Sequence, residues 1–204
     1  MSNESTYNHD LRLQRVLDHA QNLENAIRDW LRDEEPYRIT SEDNPARGER
    51  VDRLEVVQQP PSELSLIIGD ALHNLRSALD NLAYDLARAH TGEPLPDDIA
   101  AKSEFPIFIS RAMTSGEWAR KIGGIHPDAQ VIIEDLQPFN RLGADASDDL
   151  LAVLHNLSNI DKHRLPHLTL IVPAAASSFE PAVPGRVYVD LPWEPVTEDA
   201  IIAR

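Results

Sequence analysis

The stretch between residues 62 and 90 restricts the fold of this chain more than any other part of its sequence. Large apolar residues recur there at alternating spacings of four and three, at Ile68, Leu72, Leu75, Leu79, Leu82 and Leu86. This spacing is typical of one face of an α-helix. Pro60 and Pro61 precede the stretch and Gly92 follows it, as expected at helix boundaries. We therefore predict one long central helix of roughly 40 Å.

Further helices are predicted at 8–33, 127–137 and 147–164, with a short one at 114–122, from amphipathic spacing and boundary residues. Aromatic residues make up only 5% of the chain, which favours packed helices over a β-sandwich. Gly69 inside the central helix predicts either a kink or the close approach of a neighbour. We expect a mainly α protein, a helical bundle of about four to five helices, forming a single domain over residues 1–204.

A small antiparallel β element is also predicted. Two short β-type runs at 37–40 and 51–57 flank turn residues, which indicates a hairpin within 36–59. The sequences LTLIV and RVYVDL predict two more strands within 166–191. Because an isolated hairpin is marginally stable, we expect these C-terminal strands to join it. The last residues, 198–204, are expected to fray.

The charge balance limits the partners of this chain. It has 34 acidic residues against 19 Lys and Arg, for a net charge of −15. Such a field opposes stable DNA binding, whereas transient contact with RNA at a local basic pocket stays open. The absence of cysteine excludes disulfides, thiolate metal sites and a cysteine nucleophile. No apolar run resembles a membrane span or a signal peptide, so we expect a cytoplasmic protein without a membrane partner.

Two helices carry polar side chains that suggest chemistry. In the central helix His73, Arg76 and Asp80 share one face, and Asn74 lies beside them. The sequence LHNL occurs in this helix and again at 154–157, where the last predicted helix leads into NIDKHR. We therefore expect the two helices to pack against each other.

The end of the last helix supplies a second polar set. His155, Asn159 and Lys162 share a face, and Asp161 is followed by three basic residues. An acidic side chain is disfavoured at a helix C-terminus. We therefore expect Asp161 to pair with Arg76 or with a nearby histidine.

These residue types suit phosphodiester cleavage without a metal. Histidine can act as general base near neutral pH, and arginine can bind the phosphate. The 2′-hydroxyl of RNA supplies the nucleophile. The candidate catalytic residues are His73, Arg76, Asp80, Asn159, Asp161 and His163, and the candidate binding residues are Asn74, Lys162 and Arg164. No compact metal-binding motif is present, so we expect neither a metal nor a cofactor.

The strings GDALHNLRSALD and NIDKHR resemble a family of helical proteins from actinobacteria and their phages, over roughly residues 60–170. That resemblance implies no particular activity. More distantly, a helical bundle with His, Arg and Asn on facing helices is similar to the HEPN superfamily. This second resemblance implies a metal-independent ribonuclease of toxin or antiphage type that acts as a homodimer.

Three functions stay open from the sequence. One is the HEPN-like ribonuclease. The second is a non-catalytic dimeric binding or regulatory protein in which the polar side chains form a structural network. The third is a metal-dependent hydrolase built on a helical bundle.

Overall fold

A computed structural model describes residues 7–44, 49–111, 116–140, 145–162, 171–173, 193–195 and 200–203. The described residues form six α-helices and five β-strands. The helices are α1 (Asn8–Asp33), α2 (Ser62–Thr91), α3 (Asp97–Ala100), α4 (Glu117–Ile122), α5 (Pro127–Asp135) and α6 (Leu150–Asp161). The strands are β1 (Tyr37–Asn44), β2 (Glu49–Val56), β3 (Ile171–Pro173), β4 (Trp193–Pro195) and β5 (Ala200–Ala203).

The mainly helical fold with a small antiparallel β element is confirmed. Helix α2 covers the predicted central helix, and Gly92 follows it with a positive φ of 97°, a conformation that glycine adopts without strain. The N-terminus of α5 is capped by His126, whose side chain accepts from the Asp128 amide, and Pro127 is its first residue. In the described part of the chain, no helix is both long and apolar enough to cross a membrane.

The hairpin is confirmed, but the strand that joins it differs from the one expected. Strands β1 and β2 pair antiparallel from Tyr37 opposite Val56 to Asn44 opposite Glu49. The third strand is β5, at 200–203, a segment that was expected to fray. Strand β3, from the predicted LTLIV run, pairs instead with β4. The predicted strand RVYVDL lies outside the described residues.

The chain divides into two compact units. Unit 1 comprises Met1–Asn22 and Leu66–Pro166, and unit 2 comprises Leu23–Ser65 and His167–Arg204. Unit 2 holds both β-sheets. In it, the rings of Trp30 and Tyr37 meet edge to face, with centroids 5.8 Å apart. The single domain expected from the chain length stays a prediction.

The core of unit 1 forms where the second half of α2 meets α4, α5 and residues 95–108, which comprise α3 and an extended segment at 103–108. Its buried members are Ala83, Ala87, Leu95, Phe105, Ile107, Ile122, Ile125 and Ile133. Gln137, with no exposed surface, donates to the carbonyl of Pro106 at 2.9 Å and accepts from the Phe108 amide at 3.0 Å. Side-chain hydrogen bonds therefore replace a partner strand along this segment.

Candidate functional site

Arg76 and Asp80 of α2 hold the backbone of Phe105 from both sides. Arg76 Nη2 donates to the Phe105 carbonyl at 2.8 Å, and the Phe105 amide donates to Asp80 Oδ1 at 3.1 Å. Arg76 Nη2 also lies 2.9 Å from Asp80 Oδ1. Because Arg76 is only 9% exposed, these contacts anchor the extended segment on α2. Burial raises the pKa of Asp80, although the charge of Arg76 and the Phe105 amide oppose that shift.

Glu104 extends this arrangement to a second cation. It accepts from Arg76 Nη2 at 2.7 Å and pairs with Lys121 Nζ of α4 at 2.9 Å. Partial burial by itself would raise the pKa of Glu104, but Lys121, Arg76 and Lys162 outweigh it and lower the pKa. Glu104 is therefore ionised at neutral pH and links α2 to α4.

His155, Asn159 and Lys162 form a hydrogen-bonded row along α6. Lys162 Nζ donates to Asn159 Oδ1 at 3.4 Å, and Asn159 Nδ2 lies 3.1 Å from His155 Nε2. Because Lys162 can only donate, the Asn159 amide presents its nitrogen to the imidazole. Nε2 of His155 then accepts, which assigns the neutral ring with its proton on Nδ1.

The electrostatics of the site favour the same neutral ring. Partial burial lowers the pKa of His155, and the positive charges of Arg76, Lys121 and Lys162 lower it further. Glu104 acts in the opposite direction. We name the seven side chains the polar cluster; they are Arg76, Asp80, Glu104, Lys121, His155, Asn159 and Lys162.

The lowered pKa of His155 gives a measurable expectation. In an NMR titration the ring should gain its proton below the ordinary pKa of 6.5. Replacing Lys162 by glutamine should raise that pKa, because one of the repelling charges is removed. The matched variant Arg120→Gln, whose arginine pairs with Glu117 on the surface, should leave the pKa unchanged. A pKa of His155 above 6.5 in the parent protein would contradict this assignment.

The expected pair between Asp161 and Arg76 is not formed. Arg76 contacts Asp80, Glu104 and Phe105. The Asp161 carboxyl group lies instead against Gly69 of α2. A Cβ atom at Gly69 would overlap this carboxyl group and lie 3.1 Å from its Cγ. The close approach predicted at Gly69 is confirmed, and Asp161 is the neighbour that requires it.

This contact predicts a non-additive pair of substitutions. In an Asp161→Ala background, Gly69→Ala should stabilise the protein by about 1 kcal/mol, the helix preference of alanine over glycine. In the parent chain the same change should give no gain, because the new Cβ must displace the Asp161 carboxyl group. Urea unfolding of the four proteins measures the difference. Equal gains in both backgrounds would show that the two residues do not interact.

The other residues of the sequence-based site are dispersed. His73 is exposed and forms no side-chain hydrogen bond or ion pair with any other described residue. Asn74 is buried, donates to the Asp70 carbonyl and accepts from Arg12 of α1 at 3.1 Å, which is a structural role. His163 and Arg164 lie outside the described residues.

The sequence predicted Arg76, Asp80, Asn159 and Lys162 as site residues, but not the other three members of the polar cluster. His155 could have been included, since it shares a helix face with Asn159 and Lys162. Glu104 and Lys121 lie outside α2 and α6 and reach the cluster only through tertiary packing. Among the described residues, no three His, Asp or Glu side chains form a group that could hold a metal ion.

Comparisons with protein-family models, curated proteins and solved structures found no match to this chain.

Proposed function

We propose that this protein is a metal-independent ribonuclease, HEPN-like and of toxin or antiphage type, and that His155 is its general base. The observation that carries the proposal is the partly buried imidazole of His155, hydrogen-bonded to Asn159; the charges of Arg76, Lys121 and Lys162 lower its pKa and so favour the neutral ring. Neutral histidine is the form that accepts a proton. Cations close to the base bind the substrate phosphate and stabilise the charge that develops on it.

The proposed reaction uses the RNA as its own nucleophile. His155 Nε2 exchanges its hydrogen bond with Asn159 Nδ2 for one with a 2′-hydroxyl and takes the proton of that hydroxyl, whose oxygen then bonds to the adjacent phosphorus. The bond from phosphorus to the 5′-oxygen breaks, and the departing oxygen takes a proton from water. Lys162 binds the phosphate oxygens. Arg76 and Lys121 act as positioning residues, because Asp80, Glu104 and Phe105 engage Arg76 and Glu104 engages Lys121.

The proposal includes the partners of the protein. RNA binds transiently, because a net charge of −15 opposes long-range attraction of any nucleic acid. A second copy of the chain completes a cytoplasmic homodimer. Exposed leucines of α1, Leu11 and Leu17, give this part of the helix an apolar surface that a second copy would cover.

The test is cleavage of a short single-stranded RNA in excess EDTA. We expect products that end in a 2′,3′-cyclic phosphate on one side and a 5′-hydroxyl on the other. An oligonucleotide of the same sequence with 2′-deoxyribose at every position should stay intact, because it lacks the nucleophile. RNA that stays intact, or cleavage that also occurs in the deoxy oligonucleotide, would contradict the proposal.

The second candidate is a non-catalytic dimeric binding or regulatory protein. It is favoured by Arg76 and Asp80, whose contacts with the Phe105 backbone are those of a structural network. In that case His155 and Lys162 would be surface residues without a reaction. Replacing either would leave the folding stability of the protein nearly unchanged.

A further inference from the structure

A leucine-lined groove lies in unit 1, away from the contacts of the polar cluster. The first turns of α1, the middle of α2 and much of α6 form its walls, with a volume of about 470 Å³. Leu13, Leu72, Leu79, Leu150 and Leu157 are among its lining residues. This volume falls within the range of small-molecule sites in proteins.

Among the described residues, His9 is the one polar side chain that lines this groove. His9 is held by Asp85, with its Nδ1 3.0 Å from Asp85 Oδ2, and its ring stacks on Tyr7 with centroids 5.3 Å apart. The side chains of His9 and Asp85 are 20% and 14% exposed. Since Nδ1 donates to the carboxylate, Nε2 is the atom left to meet a ligand.

The charges around His9 select the polar group of that ligand. Asp85 touches its Nδ1, and Asp10 Oδ1 lies 3.7 Å from Nε2. Arg88 Nη1, 3.5 Å from Asp85 Oδ1, offsets part of the Asp85 charge. Asp10 lies beside Nε2 itself and disfavours an anionic ligand group there, because like charges repel. A hydroxyl group carries no charge and can donate to Nε2.

We propose that this groove binds a small apolar alcohol, with its hydrocarbon body between α1, α2 and α6 and its hydroxyl group on His9 Nε2. The leucine walls supply the binding free energy by burying the hydrocarbon body. His9 supplies orientation and selects the alcohol over a carboxylate of the same length. The site is independent of the proposed ribonuclease reaction, since it shares no residue with the polar cluster.

The experiment uses the full chain and the uncharged fluorescent probe N-phenylnaphthylamine, displaced at neutral pH by decanol or by decanoate. We expect the probe to bind and decanol to displace it at a lower concentration than decanoate. His9→Leu should weaken decanol about five-fold, the effect of one net hydrogen bond, and leave probe binding nearly unchanged. His9→Gln, which keeps hydrogen-bonding groups, should weaken decanol less.

Two further results would overturn the proposal. Displacement by decanoate at an equal or lower concentration would show that the polar end does not select an alcohol. The second result has three parts: the protein binds no probe, it is dimeric by light scattering, and the variant Leu150→Asp is folded and monomeric. Together these would show that a second copy covers the groove. Leu75→Trp should fill the groove and abolish probe binding; if it fails to fold, the His9 variants still decide.

Discussion

Replacing His155 by asparagine should lower the rate of RNA cleavage by roughly 10²–10⁴-fold, the usual contribution of a positioned general base. Asparagine cannot accept a proton in this way, and it keeps a polar side chain on the partly exposed face of α6. In the parent protein, the rate should fall on the acidic side only below pH 6.5. The lowered pKa of His155 keeps the ring neutral, and able to accept a proton, until the pH falls below that pKa. Rates are measured in excess EDTA, with circular dichroism to show that the variant folds.

His73→Asn is the matched control for that experiment. His73 belonged to the site expected from the sequence, but its side chain is exposed and contacts no polar side chain among the described residues. Its replacement should leave cleavage within about two-fold, the range of a surface change in mutant comparisons. A large loss in His73→Asn with full activity in His155→Asn would restore the sequence-based site and reject the assignment of His155.

The largest loss of stability should come from Arg76→Met. Methionine fills a similar volume but leaves Asp80 without its cation and the Phe105 carbonyl without its donor. Breaking a buried pair on one side costs up to 5 kcal/mol, and we expect about 3 kcal/mol here. The lower figure applies because Glu104 retains Lys121 and is partly exposed. The free energy of unfolding in urea gives the value.

Arg28→Met is the control for this prediction. Arg28 pairs with Glu24 four residues earlier on α1, and both side chains are more than half exposed. Such surface pairs contribute only about 0.3–0.5 kcal/mol. A loss below about 1 kcal/mol in Arg76→Met, equal to that of the control, would mean that Arg76 does not anchor the segment 104–105.

The helices could be read from the sequence because their signals are local. The period of the leucines in α2 and the proline at the start of α5 act within a few residues, so α2 and α5 begin where expected. The expectation that 198–204 would fray was wrong for 200–203, which form β5. Pairing with β2 satisfies its backbone, and that partner is distant in the sequence.

The candidate site could be predicted only in part, for a related reason. Asn159 and Lys162 follow from the period of α6, and Arg76 and Asp80 from the period of α2. Which residues meet across helices depends on packing, and Asp161 shows this. Its charge suggested a cationic partner, but its carboxyl group packs directly against Gly69, in the space that a side chain at this position would fill.

The extended segment 104–108 has a consequence for how this sequence can diverge. Asp80, Arg76 and Gln137 bind its peptide groups at Phe105, Pro106 and Phe108, and peptide groups are common to all residues. At residues 105–108 the segment can therefore exchange its own side chains for others of similar size during evolution. The three residues that hold it have no such freedom, although they are 25 to 31 positions away along the chain. Among distant descendants of this sequence, the three residues that bind the segment would therefore be the last to change.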